Sequence, residues 1–130
     1  MNSYDQVILI TGSRDWTDQD IIRNALTEFS DRKVLVIHGK CKGADIIAGN
    51  IAEKLGFDIS SSPADWKTFG RAAGPIRNKK MVDETLEYKK MGINTVVLAF
   101  HDSLDNSKGT GHCVKLAIKN CLDVVLYTTL

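Results

Sequence analysis

The stretch "VILITGSRDW", Val7 to Trp16, decides the fold class of this chain. It begins with a short run of apolar, largely β-branched residues, which is typical of a strand buried on both faces of a sheet. At Gly12 it changes to a glycine, a hydroxyl, a cation and a carboxylate. We therefore predict a buried strand over Val7–Thr11 and a loop directly after it.

Other apolar runs along the chain have the same character as Val7–Thr11. Three of them are strong and one is weaker, and each has the length of a strand. The strong runs are Val34–His38, Thr95–Phe100 and Asp123–Tyr127, and the weaker one is Phe57–Ser60. Five strands are therefore predicted, and the four strong ones are expected to be buried on both faces.

Segments with a helical spacing of apolar residues lie between the predicted strands. Asp18 is placed to cap the first helix, and Gly56 ends the second. Pro75 opens the third, which runs towards Met91, because proline suits the first turn of a helix. The fourth helix lies in "GTGHCVKLAIKN".

The order of predicted elements is β-α-β-α-β-loop-α-β-α-β. Such alternation indicates one parallel sheet with helices on both faces and right-handed crossovers. Together with the glycine-rich strand ends, it predicts the strand order 3-2-1-4-5. The stretch from Ser61 to Gly74 is expected to be a long irregular loop, and such loops in compact domains usually serve a function.

The composition fits one domain over residues 1–130. Lys and Arg number 17 against 16 Asp and Glu, which excludes a chain generally coated by polyanions but not a local basic site. Three widely spaced cysteines match neither a disulfide framework nor a zinc knuckle, so a reducing, cytoplasmic setting is expected. The start "MNSYDQ" lacks the pattern of a signal peptide, and no apolar run approaches the roughly 20 residues of a membrane span.

The carboxyl ends of the strands are where an open parallel sheet binds ligands. Three strands are followed by glycine, a cation or hydroxyl, and then a helix start: Gly12–Trp16, Gly39–Gly43 and His101–Gly111. Glycine lets backbone N–H groups approach a ligand, and a helix N-terminus favours anions. These stretches together predict a phosphate-binding edge, although none is a dinucleotide G-x-G-x-x-G or a P-loop.

The stretch "GPIRNKKM" at 74–81 places three cations close to the predicted helix start at Pro75. The positive end of the helix dipole disfavours cations at that position. A bound anion removes this conflict, so we predict that Arg77 holds a phosphate or phosphoribosyl group and that Arg77→Ala leaves stability unchanged or slightly improved. Lys79 and Lys80 are expected to point to solvent.

Four stretches of the chain resemble the YspA-type, YpsA-related branch of the SLOG superfamily: "ILITGSRDW", "VIHGKCKGAD", "PADWKTFGRAAGPIRNKKM" and "LAFHDSLDNSKGTGHCVKLA". That superfamily also includes the lonely-guy phosphoribohydrolases and the DprA/Smf DNA-processing proteins. The resemblance covers nearly the whole chain and implies a Rossmann-like three-layer sandwich that binds a nucleotide or a nucleotide-derived ligand. It also implies a homodimer or a higher homo-oligomer.

The resemblance carries over to a set of ligand-binding positions. They are Gly12, Ser13, Arg14, Gly39, Gly43, Ala44, Asp45, Asp65, Trp66, Arg71, Gly74, Arg77, Asn78, Gly109 and Thr110. Two more follow from the residues themselves. Gly111 is expected to offer a backbone donor, and the ring of Trp16 either stacks on a base or packs over its helix.

One departure from the lonely-guy pattern bears on catalysis. Those enzymes pair an arginine with a glutamate in a Gly-Gly-x-Gly-Thr-x-x-Glu motif, and here Cys113 stands at the glutamate position. Arg77 resembles the arginine, and Asp15, Asp45 or Asp65 is a candidate for the missing carboxylate. The sequence therefore leaves open whether the protein is an enzyme.

Three functions remain compatible with the sequence: a nucleotide sensor or sequestering protein, an N-glycosidase acting on nucleoside monophosphates, and a single-stranded nucleic-acid binder. Cations interleaved with Trp66 and Phe69 favour the third, and the nearly neutral net charge argues against it. No metal is expected, because the His and Cys residues near the rim have a spacing that fits no standard zinc pattern; they are His38, Cys41, His101, His112 and Cys113. No other cofactor is expected.

Overall fold

The computed structural model describes residues 3–130 as alternating strands and helices. The strands are β1 (Gln6–Gly12), β2 (Val34–His38), β3 (Asp58–Ser61), β4 (Asn94–Phe100) and β5 (Val124–Tyr127). The helices are α1 (Gln19–Thr27), α2 (Ala44–Lys54), α3 (Trp66–Phe69), α4 (Ala73–Lys90) and α5 (Gly109–Lys119). Met1 and Asn2, which begin the stretch considered for a signal peptide, lie outside the described residues. Within residues 3–130, no helix has the length and apolar character needed to cross a membrane.

The five strands form one parallel sheet in the order β3-β2-β1-β4-β5, which confirms the predicted order. β1 lies in the middle and pairs with β2 on one side and β4 on the other. Because the strand order reverses here, a crevice opens between the carboxyl ends of β1 and β4. Gly12 at the end of β1 pairs with Phe100 at the end of β4.

The side chains of β1 alternate between two apolar layers. Ile8 and Ile10 face the layer under α1 and α2, whereas Val7 and Leu9 face the layer under α4 and α5. All four side chains are fully buried. Helices therefore cover both faces of the sheet, and the fold is the expected Rossmann-like three-layer sandwich.

Burial on both faces holds for β1 and β2 but not for β5, where the prediction is wrong. β5 lies at the edge of the sheet, and its residues Val125 and Leu126 are 42% and 46% exposed. β4 is also exposed where it begins, at Asn94, and becomes buried only from Val97 onward. An edge strand has a neighbour on one side only, so fewer side chains can cover it.

The predicted long loop over 61–74 is largely helical, so that prediction is also wrong. Asp65 caps α3 by accepting the N–H of Thr68 at 3.1 Å, and a 3₁₀ turn then leads into α4. α4 begins at Ala73, two residues before the predicted start, which makes Pro75 its third residue. Proline still fits there because the N–H groups of a first helical turn have no partner within the helix.

Candidate functional site

A pocket of about 260 Å³ opens in the crevice between the carboxyl ends of β1 and β4. We call it the inner pocket. Four segments form its wall: the loops after β1 and β2, the start of α4, and the turn that leads into α5. Every one of these segments except α4 is a loop that the sequence analysis places at the rim.

Gly12 allows the loop after β1 to pass close to its neighbours. A Cβ at this position would lie 2.5 Å from the Cβ of Ala44 and 2.8 Å from the carbonyl oxygen of Phe100. The N–H of Ser13 donates to that same carbonyl oxygen at 2.8 Å. The tight turn leaves Arg14 exposed at the rim of the inner pocket.

The loop after β2 turns at Gly43, whose φ is +85°. A Cβ at Gly43 would collide with the backbone of Ser13 and Arg14 in the neighbouring loop. The N–H of Ala44 donates to the carbonyl oxygen of Ser13 at 3.0 Å, and the Ala44 side chain is fully buried. Gly43 and Ala44 therefore hold the two loops together and present no side chain to a ligand.

Asp45 is buried in the first turn of α2. Its Oδ2 atom accepts the N–H of Gly39 at 3.0 Å and that of Cys41 at 3.4 Å. Burial raises the pKa of Asp45 to about 6, although these hydrogen bonds and the charges of Arg77 and Arg14 act in the opposite direction. Oδ1 has no hydrogen-bond partner among residues 3–130 and keeps contact with solvent, so the carboxyl can exchange a proton at the pocket wall.

Arg77 lies in the second turn of α4 and is only 9% exposed. Its Nε donates to Oδ1 of Asn78 at 2.9 Å, and its Nη1 donates to the carbonyl oxygen of Gly39 at 3.0 Å. Nη1 also lies 3.2 Å from Sγ of Cys41. Nη2 has no acceptor within the described part of the chain and is not closed off from solvent, so it can bind an anion in the inner pocket.

These contacts give Arg77 a structural role and remove the predicted conflict with the helix dipole. Since α4 begins at Ala73, Arg77 is the fifth residue of the helix, beyond the turn where the dipole acts most strongly. The guanidinium is bonded to the carbonyl group of Gly39 rather than repelled by the helix end. The structure contradicts the premise that the helix end repels Arg77, so we instead expect Arg77→Ala to lower stability, because it removes a donor to the buried carbonyl group of Gly39.

The turn before α5 is closed by Ser107. Its Oγ accepts the N–H of Thr110 at 3.0 Å and that of Gly111 at 3.2 Å. Asn78 Nδ2 donates to the carbonyl oxygen of Gly109 at 3.2 Å and so ties α4 to α5. Two of the amide groups expected to bind a ligand are thus already bonded to Ser107, and the side chains of Ser107 and Thr110 line the pocket.

A second cavity, of about 660 Å³, continues from the inner pocket along the start of α4. We call it the outer groove. The two cavities share Arg14, Arg77, Asn78, Lys108 and Gly109, and the outer groove adds Trp66, Arg71, Gly74, Pro75 and His112. Trp66 is 50% exposed, and the guanidinium carbon of Arg14 lies 5.8 Å from the centroid of its ring.

Most of the predicted ligand residues meet at this double cavity. The inner pocket holds Gly12, Ser13, Arg14, Asp45, Arg77, Asn78, Gly109 and Thr110, and the outer groove adds Trp66, Arg71 and Gly74. Four others line neither cavity but support the wall through backbone groups: Gly39, Gly43, Ala44 and Gly111.

Two predicted residues, Trp16 and Asp65, line neither cavity. Trp16 is 4% exposed, packs on Phe100 with the ring centroids 5.6 Å apart, and donates its indole N–H to the carbonyl oxygen of Asp18 at 2.7 Å. It therefore packs at the start of α1 and cannot stack on a base. The carboxylate of Asp65 is exposed and caps α3 through the N–H of Thr68, which makes it a poor candidate for catalysis.

Cys113 does not substitute for a catalytic glutamate. It is completely buried in the layer under α5, and burial raises its pKa to about 11. A neutral thiol shielded from solvent neither activates water nor stabilises a cation. The carboxylates at the wall of the inner pocket belong instead to Asp45 and Asp15.

Sequence reasoning misses His101, Ser107 and Lys108, which also line the inner pocket. All three lie in the loop that it assigns to the rim, but only the glycines and Thr110 are selected there. Ser107 stands three residues before Thr110, which is the spacing of a side chain that caps a helix, and this signal could have identified it.

The residues considered for a metal do not gather at one point. Among residues 3–130, no group of three or more His, Cys, Asp or Glu side chains is placed to hold a metal ion. His38, one of those considered, is buried, and its Nδ1 accepts the N–H of Lys40 at 2.9 Å. Burial and the charge of Lys40 lower its pKa.

A parallel sheet in this strand order, with a polar pocket at its switch point, defines a Rossmann-like α/β domain. The family model of the YspA, cpYpsA-related SLOG family matches residues 6–69. The Gene 61 protein of Mycobacterium phage D29 is 36% identical over 126 residues, which span 91% of this chain and 93% of that protein. The chain belongs to the YspA, cpYpsA-related SLOG family, as its motifs predict.

The fold also resembles a solved structure. DNA processing protein A (DprA) from Streptococcus pneumoniae superimposes with a TM-score of 0.51 over 94% of this chain, at 13% sequence identity. The match covers 62% of the DprA chain, so this chain spans less than two thirds of that protein. At this identity the similarity extends to the fold alone.

Proposed function

We propose that the protein binds a nucleotide or a nucleotide-derived ligand through its phosphate or ribose-phosphate group, and that it acts as a sensor or sequestering protein. The observation that carries this proposal is the burial of Arg77 together with its incomplete hydrogen bonding. A guanidinium that is only 9% exposed makes hydrogen bonds through Nε and Nη1, has no acceptor for Nη2 within the described residues, and lines the inner pocket. Such a fixed, partly unpaired cation suits a phosphate oxygen.

The surroundings of Arg77 support a sugar next to the phosphate. Arg14 and Lys108 add two more cations at the mouth of the pocket. Deeper in the wall lie the hydroxyl of Thr110 and the Oδ1 atom of Asp45, which can hydrogen-bond the hydroxyl groups of a ribose. The inner pocket thus combines cations for a phosphate with neutral and acidic groups for a sugar.

Calorimetry with a panel of nucleotides tests the proposal. Arg77→Ala should weaken binding about 10- to 150-fold, because a charge-assisted hydrogen bond contributes roughly 1.5–3 kcal/mol. Arg77→Lys should bind better than Arg77→Ala but below the parent, since it keeps the charge and loses the second donor nitrogen. The matched control is Lys79→Ala, because Lys79 is an exposed cation on the same helix, paired with Asp83 at 2.7 Å.

Thermal melting of each variant must accompany the titrations, because Arg77 also holds the carbonyl group of Gly39. A folded Arg77→Ala protein that binds nucleotides as tightly as the parent would contradict the proposal. Failure of the parent protein to bind any nucleotide in the panel would contradict it as well.

A second candidate function is the cleavage of an N-glycosidic bond in a nucleoside monophosphate. The observation that favours it is Asp45, a buried carboxyl with its pKa raised to about 6 and one oxygen open to the pocket. A group of that pKa can act as a general acid or base near neutral pH. Chromatography for released base decides between the two functions: turnover that Asp45→Asn abolishes favours the enzyme, and tight binding without released base favours the sensor.

A further inference from the structure

The two cavities differ in their balance of charge. The inner pocket sets Arg14, Arg77 and Lys108 against the carboxylates of Asp15 and Asp45. The outer groove is lined by four cationic side chains, those of Arg14, Arg71, Arg77 and Lys108, and by no acidic residue within the described part of the chain. The positive charge of the site therefore extends well beyond the point where Arg77 meets the inner pocket.

The exposed cations of the outer groove also lack partners within the chain. Among residues 3–130, no ion pair includes Arg14, Arg71 or Lys108. No carboxylate within the described residues therefore neutralises them, in contrast to Lys79, which is paired with Asp83 at 2.7 Å. Three unpaired cations around one cavity raise the local concentration of anions, and the low-dielectric walls of a cavity strengthen this effect.

The far wall of the outer groove is fixed and partly aromatic. Trp66 lies over the start of α4, where a Cβ added to Gly74 would be 3.5 Å from the ring atom Cη2. Trp66 is half exposed and lines the outer groove. Arg71 lies on the 3₁₀ turn between α3 and α4, so it is held at the same end of the groove as this ring.

We propose that the ligand continues past its first phosphate into the outer groove, and that it carries at least two linked phosphate groups. This inference rests on the proposed function. The first phosphate lies where the two cavities meet, at Arg77 and Lys108, and the second lies between Arg14 and Arg71. The ligand class is therefore a nucleoside diphosphate or a pyrophosphate-linked nucleotide rather than a nucleoside monophosphate, and Arg71 determines this preference.

A comparison of matched ligands tests the inference. Calorimetry measures the affinities of nucleoside mono- and diphosphates of the same base for the parent, for Arg71→Gln and for Lys67→Gln. Lys67 is the matched control because it is an exposed cation on the neighbouring α3 that lines neither cavity. The parent should bind the diphosphate at least about tenfold more tightly, as one further charge-assisted contact predicts.

Arg71→Gln should reduce this preference to about two- to threefold because it weakens diphosphate binding more than monophosphate binding, and Lys67→Gln should behave as the parent does. Equal affinities of the parent for the two ligands, or an undiminished preference in Arg71→Gln, would overturn the inference and leave the proposed function intact. Tighter binding of a single-stranded oligonucleotide than of the diphosphate at physiological salt would overturn it in favour of a polymer. Failure to bind any nucleotide would overturn both proposals.

Discussion

Asp45 couples the stability of the fold to pH through its burial. Its pKa is raised to about 6 mainly because burial disfavours the charged form, and the unfolded chain has an ordinary pKa near 3.8. Between these two values the folded protein holds a proton that the unfolded chain has released. The free energy of unfolding therefore falls as pH rises through this window, by an amount on the order of 3 kcal/mol from this group alone.

We expect Asp45→Asn to remove this contribution. Other carboxylates titrate in the same range, so the informative quantity is the parent's free energy of unfolding minus that of the variant. This difference should decrease from pH 4 to pH 6 and then level off, and urea denaturation at each pH measures it. A difference that stays constant from pH 4 to pH 7 would show that Asp45 is not protonated preferentially in the fold.

A second prediction at this scale concerns Gly43, where conformation and space are both restricted. Gly43 and Gly56 both have positive φ, at +85° and +81°, so alanine at either position costs on the order of 1 kcal/mol in backbone strain. Only at Gly43 would the added Cβ also meet the backbone of Ser13 and Arg14. Gly43→Ala should therefore melt lower than Gly56→Ala, and it should also weaken ligand binding because it displaces Arg14.

Melting curves and titrations of the two glycine variants check this together. Equal melting temperatures would mean that the loop after β1 shifts to accommodate the new Cβ without a further loss of stability. Gly56→Ala serves as the control for binding, because Gly56 lies at the end of α2, where no atom of residues 3–130 beyond its two chain neighbours would come within 4 Å of the new Cβ.

At the scale of elements, α3 gives the clearest test of whether Asp65 acts as a helix cap or as a catalytic acid. Asp65 accepts the N–H of Thr68 at 3.1 Å, and asparagine caps helices as well as aspartate does. Asp65→Asn should therefore preserve both melting temperature and ligand binding, whereas Asp65→Ala should lower stability by about 1 kcal/mol. An Asp65→Asn protein that folds normally but loses ligand binding or turnover would show that the Asp65 carboxylate takes part in binding or catalysis.

Elements with strong local signals follow from the sequence, and those without such signals do not. The buried runs of β1 and β2 predict their strands closely, and the Asp18 cap of α1 is present, with its Oδ1 accepting the N–H of Ile21 at 3.1 Å. α3 was not predictable because it has only four residues and none of them is buried, so no apolar periodicity marks it. No apolar periodicity marks the start of α4 at Ala73 either, so the sequence did not predict it.

The candidate site likewise contains residues that follow from the sequence and residues that do not. Glycine-rich strand ends predict the rim because backbone conformation is a local property, and Arg77 follows from a charge that is unusual for its position. The role of Arg77 in holding Gly39 spans 38 positions and depends on how α4 packs against the loop after β2. Burial of Trp16 and Cys113 likewise follows from tertiary packing, which single-sequence patterns do not specify.

At the scale of the whole molecule, β5 leaves an unpaired edge. Leu126 on β5 and Ile118 on the neighbouring α5 are 46% and 60% exposed. Apolar edges of this kind are commonly covered, and two-fold association is the most frequent closed assembly. We expect the homodimer implied by the family to use this side, so light scattering at micromolar concentration should give the mass of two chains, and Leu126→Lys should give the mass of one.

A monomeric mass for the parent protein would contradict the expected dimer. A dimeric mass for both proteins would retain the dimer and place its interface elsewhere. Lys119→Ala provides the control, since it changes an exposed polar residue at the end of the same helix.

The central position of β1 makes the sheet depend on a pairing between distant segments of the chain. Gln6 pairs with Asn94, 88 positions further along the chain, so β1 must wait for a distant segment before its second edge is covered. Pairings of such long range slow folding. Trp16 is enclosed only when Phe100 at the end of β4 arrives against it, whereas Trp66 remains half exposed in the finished fold. The fluorescence of Trp16 in a refolding experiment should therefore report the docking of β4 against β1. Because the inner pocket lies between the carboxyl ends of these two strands, the same signal should report the formation of the pocket.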